Sequence, residues 1–377
     1  MKVAITQESL NKGLNLASRI VPNRPTLPIL GNVLLEAREN TLTVSATNLE
    51  VGISLKLAAQ VKQEGAISIP ARLLAEFVGS LAPAEIELIT SDLVLEVKTQ
   101  THVSKINGLD ANEFPPLPEK SGEPVISLDI AKLEEAIGEV TFAAATDESR
   151  PVLAGVLLAR EKDKLLLVAT DGFRLSHKEL PAEKMQEDLR FILPAKGFFE
   201  VERVMKEKEF LADATEVAMS LTKEKNQAIF SFKNAEISCR LLEGQFPDYK
   251  KIIPKNYTAR AILDREELTK AVKLASIFAR DSANIIHLSL APQEKKITIA
   301  AQTKELGNSK TEIEASLEGE TMTIAFNARF ITDVVSALSG SQISIDFSGV
   351  LSPAQIQGVG DTSFFHILMP IRTESVQ

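Results

Sequence analysis

Hydrophobic and polar positions follow a pattern that recurs three times along this chain. Each third begins with apolar residues at helical spacing, which predicts amphipathic helices at 8–21, 130–144 and 265–279. The residues expected on the buried faces are Leu10, Leu14, Leu16 and Ala17 in the first helix, and Leu268, Val272, Leu274 and Ala275 in the third. Asp264, followed three residues later by Glu267, predicts the start of the third helix with a partial capping box.

Two runs with strand-like alternation follow each of these helices. They read PILGNVLLEA and TLTVSATNLEVGISLKL, then PVLAGVLLAR and KLLLVATDGFRLSHKEL, then IIHLSLAPQ and KKITIAAQTKEL. Short polar connectors, RENT, EKDK and QEK, separate the two runs of each pair. Such connectors between alternating runs predict antiparallel hairpins.

A second helical motif follows in every third, at 69–81, 193–205 and 326–338. Pro70, Pro194 and Asn327 stand at intervals of 124 and 133 residues, and Leu10, Leu133 and Leu268 stand at intervals of 123 and 135. Two markers with nearly equal spacing indicate an internal repeat.

The repeat predicts an α+β protein of three domains, each built from two similar β-α-β-β-β halves with helices on one face of antiparallel sheets. Pro-rich and charged stretches at 115–124 and 250–258 are the expected linkers. The domains are therefore expected at 1–120, 125–253 and 256–377.

Composition is that of a soluble globular protein, with 377 residues, 44% hydrophobic and 25% charged. No run approaches the length of a membrane helix, and MKVAITQESL lacks the apolar core of a secretory signal. The single cysteine, Cys239, lies in an alternating run and is expected to be a buried thiol in a reducing compartment. These features favour a cytoplasmic location.

The formal net charge of −9 is the wrong sign for ordinary DNA binding. Either the protein does not bind DNA, or it holds DNA without high equilibrium affinity. Six similar halves suggest an arc that closes by symmetric association, with helices lining the inner face and sheets outside. Basic residues on the inward helices would then coexist with an acidic exterior. Candidates are Lys12, Arg19, Arg24, Arg72, Lys196, Arg203, Lys206, Lys270, Lys273 and Arg329.

An enzyme is the alternative from another class, with Asp171 and His177 as a possible catalytic pair. Six residues along an extended strand separate two side chains by roughly 20 Å, which argues against that pair. The four histidines, His102, His177, His287 and His366, show no zinc-ligand spacing. The sequence also lacks the common phosphate-binding, nucleophile and metalloprotease motifs, so no cofactor or metal is expected. A protein-interaction scaffold that never encircles DNA stays open as a second alternative.

Several motifs resemble the bacterial sliding clamps, the beta subunits of DNA polymerase III. They are RPTLPILGN (24–32), ATNLEVGI (46–53), SRPVLAGV (149–156), ATDGFRLS (169–176), EGQFPDYKKIIPKN (243–256) and ILMPIR (367–372), and they cover the whole chain in order. The resemblance implies a non-catalytic processivity factor: a head-to-tail homodimer that encircles duplex DNA regardless of sequence. Its implied partners are a clamp loader, DNA polymerase III alpha, other polymerases and repair proteins, which bind through short linear peptides.

The resemblance also implies a peptide groove between the second and third domains. The residues carried over to it are Arg150, Leu153, Thr170, Gly172, Phe173, Arg174, Leu175, Pro247, Lys251, Ile252, Asn327, Phe330, Leu351, Pro353, Ile367, Leu368, Met369, Pro370, Ile371 and Arg372. Most are apolar and would anchor hydrophobic residues of a peptide, while Arg174 and Arg372 would hydrogen-bond its backbone or an acidic side chain.

Two further sites follow from the resemblance. Arg24, Arg72 and Lys196 match positions that touch the DNA backbone, a contact that carries no base information. The strand VSKING (103–108) is expected to pair with the opposite end of a partner chain, with Ile106 on one side and Ile277 and Phe278 on the other.

Overall fold

A computed structural model describes residues 1–147, 149–181, 185–186, 189–303 and 307–373. Its α-helices are α1 (Gln7–Ile20), α2 (Ala71–Ser80), α3 (Ile130–Val140), α4 (Ala195–Met205), α5 (Lys208–Leu211), α6 (Arg265–Ala279) and α7 (Ala328–Ala337). The predicted helices agree with α1, α2, α3, α4, α6 and α7 to within a few residues, and α3 continues into a 3-10 turn at Thr141–Ala143.

The strands account for most of the remaining regular structure. The first thirteen are β1 (Lys2–Thr6), β2 (Asn32–Arg38), β3 (Thr41–Thr47), β4 (Val51–Ala58), β5 (Gln60–Gln63), β6 (Gly65–Pro70), β7 (Glu85–Ser91), β8 (Val94–Lys98), β9 (Val103–Asn107), β10 (Ile126–Asp129), β11 (Gly155–Glu161), β12 (Lys164–Thr170) and β13 (Arg174–Pro181). The others are β14 (Arg190–Pro194), β15 (Glu216–Leu221), β16 (Gln227–Ser231), β17 (Ala235–Arg240), β18 (Ala259–Asp264), β19 (Ile285–Ala291), β20 (Lys296–Thr303), β21 (Gly307–Glu314), β22 (Ser316–Gly319), β23 (Met322–Asn327), β24 (Gln342–Phe347), β25 (Ala354–Gly358) and β26 (Phe364–Leu368).

The order β-α-β-β-β occurs six times, starting at β1, β6, β10, β14, β18 and β23. Helix α5 and the short strands β5 and β22 are additions to this plan. The predicted halves and the α+β class are therefore confirmed.

Side-chain oxygens cap several of the helices. Thr6 accepts a hydrogen bond from Ser9 N at the start of α1, and Asp264 accepts one from Glu267 N at 2.9 Å at the start of α6. These bonds satisfy amide groups that have no partner within the helix. The start predicted at Asp264 is confirmed.

The buried face of α6 corrects one prediction. Leu268, Val272 and Ala275 lie in the core, but Leu274 is 52% exposed. It stands two positions after Val272, which turns its side chain to the opposite side of the helix. Leu274 is thus an unpaired apolar residue on the surface of the helix.

Two compact units make up the chain. The first consists of Met1–Glu134, Lys184–Glu187 and Lys196–Leu241. It holds an eight-stranded sheet in the order β10-β15-β16-β17-β4-β3-β2-β6 and a five-stranded sheet in the order β5-β1-β7-β8-β9. Helices α1 and α2 pack against each other, and α1 also packs on β3 and β4.

The second unit consists of Glu135–Glu183, Asp188–Ala195 and Leu242–Gln377. Its sheets have the orders β14-β11-β12-β13-β26-β25-β24-β18-β22 and β21-β20-β19-β23. One large apolar core joins α6 and α7 to both sheets, with Phe326, Phe347 and Phe364 fully buried in it.

Two antiparallel ladders join strands that belong to different sequence repeats. In the first unit β4 pairs with β17, so that Val51 lies opposite Cys239 and Gly52 opposite Ser238. In the second unit β13 pairs with β26, so that Arg174 lies opposite Leu368 and Leu175 opposite Ile367. Within each unit, strands of two adjacent repeats therefore form one continuous sheet. No described helix is long and apolar enough to cross a membrane.

Candidate functional site

The tight turn between β12 and β13 is held by its own side chains. Thr170 Oγ1 accepts a hydrogen bond from Gly172 N at 3.0 Å and donates one to Arg174 O at 2.6 Å. Asp171 Oδ1 accepts from the backbone N of Phe173 and of Arg174. Gly172 has φ +93, a conformation that glycine adopts without strain. The turn presents the Phe173 side chain to solvent, where it is 60% exposed.

Arg174 links this turn to two other elements of the second unit. Its guanidinium donates to Asp171 Oδ2 at 3.0 Å, to Asp333 Oδ2 at 2.6 Å and to Phe142 O at 2.7 Å, and it lies 4.3 Å above the ring of Phe330. The residue is only 9% exposed. Because each of its three guanidinium nitrogens already donates a hydrogen bond within the protein, Arg174 orders the surface around it. The expectation that it bonds a peptide directly requires a remaining N–H group or the exchange of one of these partners.

One face of the β13–β26 ladder is covered by the FPDY segment. Leu175 and Ile367 are fully buried there against Phe246 and Tyr249. His177 stacks on Phe365 at 4.6 Å between ring centroids and lies 5.9 Å from the Tyr249 ring. This face is a filled apolar layer, so Leu175 and Ile367 form a floor that no ligand reaches while the layer stays closed.

The opposite face carries Leu368 and His366, both fully buried. His366 Nδ1 shares a hydrogen bond with Ser176 Oγ at 2.8 Å, whereas its Nε2 has no hydrogen-bond partner among the described residues. Burial, assisted by the charge of Arg174, lowers the pKa of His366 to about 3. The imidazole is therefore neutral at physiological pH.

A buried ion pair lies on the same face. Lys178 Nζ is 2.6 Å from Glu139 Oε2 and 3.0 Å from Glu135 Oε1. Burial raises the pKa of Glu139 to about 7, although the ammonium acts in the opposite direction. The pair fixes β13 to α3, with Lys178 and Glu139 buried and Glu135 exposed at its edge.

Exposed and half-buried apolar residues surround this ladder. Phe173 O accepts a hydrogen bond from Met369 N at 2.9 Å, which holds the turn beside the end of β26. Arg150 Nη1 donates to Asp171 O at 3.3 Å, which brings the segment before β11 to the same turn. Ile371 N donates to Ala325 O, two residues before Asn327, whose side chain caps α7. The structure thus brings together four separate chain segments that the sequence assigned to one groove.

The twenty groove residues differ in how far a partner can reach them. Exposed ones are Arg150, Gly172, Phe173, Pro247, Lys251, Ile252, Leu351 and Arg372. Partly exposed ones are Leu153, Asn327, Phe330, Pro353, Met369, Pro370 and Ile371. Buried ones are Thr170, Arg174, Leu175, Ile367 and Leu368. Lys251 pairs with Asp248 at 3.0 Å, and both side chains are exposed.

The candidate DNA contacts all lie in the first unit and are exposed. Arg72 and Lys196 are the second residues of α2 and α4, and Arg72 hydrogen-bonds Asn23, next to Arg24. Arg329 occupies the same position in α7. The repeat therefore sets one basic residue at the start of the second helix of every third.

The candidate dimer residues differ in exposure. Strand β9 is the last strand of its sheet, as expected for VSKING, but Ile106 is only 6% exposed while Val103 is 58% exposed. On α6, Ile277 is half exposed beside Leu274, and Phe278 is partly buried against the core. Val103 and Leu274 are exposed apolar residues near these positions: sequence reasoning did not name Val103, and it placed Leu274 on the buried face of its helix.

Nothing at these positions resembles a catalytic centre. Asp171 is engaged by Arg174, and His177 is packed between aromatic rings with its pKa lowered by burial. Burial raises the pKa of the Cys239 thiol to about 12, so it is not a nucleophile. Among the residues that the structure describes, no cluster of His, Cys, Asp or Glu is able to hold a metal ion.

Asp333 and Phe142 are further residues that sequence reasoning missed. Both hold Arg174, yet they stand 159 and 32 residues away from it along the chain. Asp333 lies in the third repeat and meets Arg174 only through the pairing between repeats, whereas Phe142 lies in the same repeat as Arg174 and meets it through the tertiary fold. A single sequence carries no signal of either contact.

Comparison with known proteins covers the whole chain. The N-terminal domain of the DNA polymerase III beta subunit matches residues 1–118, its central domain matches 127–248, and its C-terminal domain matches 250–372. A beta sliding clamp from Synechococcus elongatus is 30% identical over 380 residues, with 100% of each chain covered.

Solved structures agree with the sequence comparison. The DNA polymerase III beta subunit of Thermotoga maritima superposes with a TM-score of 0.90 at 28% identity, and the sliding clamp of Bacillus subtilis with 0.91 at 27% identity. Each covers 99% of this chain and 100% of its own.

Proposed function

The chain belongs to the family of DNA polymerase III beta subunits, the beta sliding clamps, and from this premise we propose that two copies join head to tail into a closed ring around duplex DNA. It is a non-catalytic processivity subunit. In the ring it would tether the replicative polymerase, and other polymerases and repair proteins in turn, after a clamp loader has placed it on DNA in the cytoplasm.

The observation that carries the ring is a pair of open sheet edges. Strands β9 and β21 each end a sheet and have no further partner strand among the described residues. Exposed edges with apolar neighbours tend to pair with another chain. Val103 lies on the first edge, and Leu274 and Ile277 lie on α6, which packs on β21. An antiparallel pairing of β9 with β21 of a second copy would bury these side chains and satisfy both edges.

Contacts with DNA in this proposal are few and weak. Arg24, Arg72 and Lys196 would touch phosphates through exposed side chains at the start of α2 and α4. Because the net charge is −9, retention on DNA would depend on ring closure rather than on affinity. Salt-sensitive contacts of this kind allow sliding, while tethering raises the local concentration of the polymerase at the primer end.

Partner peptides would bind the surface around the β13–β26 ladder. Phe173, Met369 and Leu351 supply apolar contacts there, and the network of Arg174 keeps the turn in a single conformation. A rigid surface of this kind lowers the entropic cost of binding an extended peptide. Held by short peptides, different partners would be able to exchange on one clamp.

The decisive experiment is retention on circular DNA. The chain is loaded onto a nicked plasmid with a clamp loader and ATP, passed through gel filtration, and the plasmid is then cut once. A topological ring stays on the circle and leaves the linear form. A chain that stays on neither, or equally on both, is an ordinary binding scaffold.

Charge reversal separates DNA contact from peptide binding. Arg72→Glu combined with Lys196→Glu should abolish retention and leave peptide affinity unchanged, since these residues lie in the first unit and the groove lies in the second. Lys225→Glu reverses the charge of an exposed residue in the turn between β15 and β16 and is the matched control. Loss of both activities together in the double variant would contradict the separation of the two surfaces.

A further inference from the structure

A cavity of about 420 Å³ opens beside the β4–β17 ladder of the first unit. Its walls come from β4, β16 and β17 and from the segment that follows the first repeat. The lining residues are Gly52, Ser54, Leu117, Pro118, Glu119, Lys120, Ile229, Glu236 and Ser238.

The turn that leads into β4 is a structural copy of the groove turn. Thr47 Oγ1 accepts from Leu49 N at 3.0 Å and donates to Val51 O at 3.2 Å, as Thr170 does with Gly172 and Arg174. Asn48 Oδ1 accepts from the amides of Glu50 and Val51, two and three residues further on, as Asp171 Oδ1 does from Phe173 and Arg174.

The same correspondence continues along the ladder. Arg240 N donates to Glu50 O at 2.7 Å, where Met369 N donates to Phe173 O in the second unit. The two ladders are therefore equivalent sites of the internal repeat.

Side chains at these equivalent sites differ in volume. The β13–β26 ladder carries Leu175, His177, Phe365 and Ile367, and Tyr249 of the FPDY segment lies over them. The β4–β17 ladder carries Gly52, Ser54, Glu236 and Ser238, and Leu117 of FPPL stands where Tyr249 stands. Each replacement is smaller or more polar, so a cavity remains beside the β4–β17 ladder, whereas aromatic rings fill the other one. Next to Gly52 itself, Leu117 and Ser238 occupy the space.

The polar groups of the cavity indicate what fits it. Glu236 Oε1 accepts from Lys120 Nζ at 2.9 Å and from Ser231 Oγ at 3.3 Å, and a carboxylate offers further acceptor positions. Leu117, Pro118 and Ile229 supply apolar walls for a ring. An aromatic ring with a donor at its tip satisfies both requirements, as tyrosine and tryptophan do.

An exposed apolar residue adjoins the site. Leu49, at the tip of the copied turn, is more than half exposed and has φ +73, which a branched side chain adopts only with strain. It stands at the position equivalent to Gly172, three residues before Gly52. A large apolar side chain held in this way offers contact surface to the backbone of a bound segment.

We propose that the cavity beside the β4–β17 ladder is a second docking pocket, which takes a tyrosine or tryptophan side chain from an extended peptide of a partner protein. The ring lies against Leu117 and Ile229, in the space that is also lined by Ser54, Glu236 and Ser238. Its hydroxyl or indole N–H donates to the Glu236 carboxylate. The pocket is independent of the groove around β13 and β26.

Methyl NMR of the full chain, labelled at Ile and Leu methyl groups, tests the pocket with N-acetyl-tyrosinamide and N-acetyl-leucinamide as probes. The tyrosine probe should give saturable shifts at Ile229 and Leu117, with a dissociation constant at least about fivefold lower than that of the leucine probe. Methyl groups of Leu153 and Ile371, which are partly exposed in the groove, report separately on that site, so failure at one site is distinguishable from failure at the other.

Two substitutions complete the test. Ser238→Ile restores the side chain of the other ladder and should abolish the shifts, whereas Thr43→Ile, on the same sheet outside the cavity, should leave them unchanged. Absence of saturable shifts in the native chain, equal affinity for the two probes, or shifts that persist in Ser238→Ile overturn the proposal. If Ser238→Ile fails to fold, a crystal of the native chain soaked in N-acetyl-tyrosinamide decides: a ring in the cavity supports the proposal and an empty cavity overturns it.

Discussion

Acidification should loosen the β13–β26 ladder through a single buried group, His366. Its native pKa is about 3 against an ordinary value of 6.5, because burial and the charge of Arg174 disfavour the imidazolium. At pH 5 the native ring stays neutral, whereas the ring in an unfolded chain is largely protonated. The unfolded state thus binds more protons, and stability falls as the pH falls from 6.5 towards 3.

The size of the effect follows from the two pKa values. Between pH 7 and pH 5 this residue alone should lower the free energy of opening by about 2 kcal/mol, or roughly 25-fold in the opening equilibrium. His366→Asn removes the titrating ring while keeping a polar group near Ser176 Oγ. Between pH 7 and pH 5, the variant should lose less than about 0.5 kcal/mol of its opening free energy through this position.

Hydrogen–deuterium exchange measures this opening locally. Protection of Arg174–Pro181 and Phe364–Leu368 is compared at pH 7 and pH 5, after correction for intrinsic exchange rates. His177 and Glu139 also titrate, but they are present in both chains and cancel in the difference. His102→Asn, at an exposed histidine, should behave like the native chain. An equal loss of protection in the native chain and in His366→Asn refutes the assignment to His366.

Further predictions concern the groove, the core and one turn. Met369→Ala should weaken a partner peptide by about 1–3 kcal/mol in calorimetry, and a loss below about 0.3 kcal/mol would contradict its contact with the peptide. Leu175→Ala should instead cost about 2–5 kcal/mol of unfolding free energy, because the side chain is fully buried; an unchanged melting temperature would show that it is not core. Gly319→Ala should destabilise by about 2 kcal/mol more than Gly340→Ala in thermal unfolding. Both have φ near +90, but only at 319 does the new Cβ lie 2.1 Å from a backbone oxygen, so equal losses would reject the clash.

The sequence predicted the elements of this fold well because their signals are local. Helical spacing located α1 and α6, and Asp264 marked a helix start that its side-chain hydrogen bond confirms. Local signals failed to predict which side of the helix a given apolar residue faces. Leu274 matched the apolar pattern, yet it faces away from the core.

The site was less predictable, since it depends on pairing between repeats. Motif resemblance gathered Phe173, Met369 and Arg150 into one surface, and hydrogen bonds join their segments in the structure. It did not distinguish the exposed Phe173 from the buried Leu368, because burial is decided by the neighbouring strand. The partners of Arg174 were equally out of reach of sequence, since Asp333 lies in a different repeat.

The ladders that join one repeat to the next have a consequence for dissecting the protein. A fragment limited to residues 125–253 keeps β13 and β17 but loses their neighbours β26 and β4. Strands β13 and β17 would become unpaired edge strands, and Leu175 on β13 would lose its contact with Ile367. Such edges recruit strands from other molecules, so the excised repeat is expected to aggregate even though its sequence looks self-sufficient. Expression fragments should therefore have boundaries that keep each continuous sheet intact, and these boundaries differ from those of the sequence repeats.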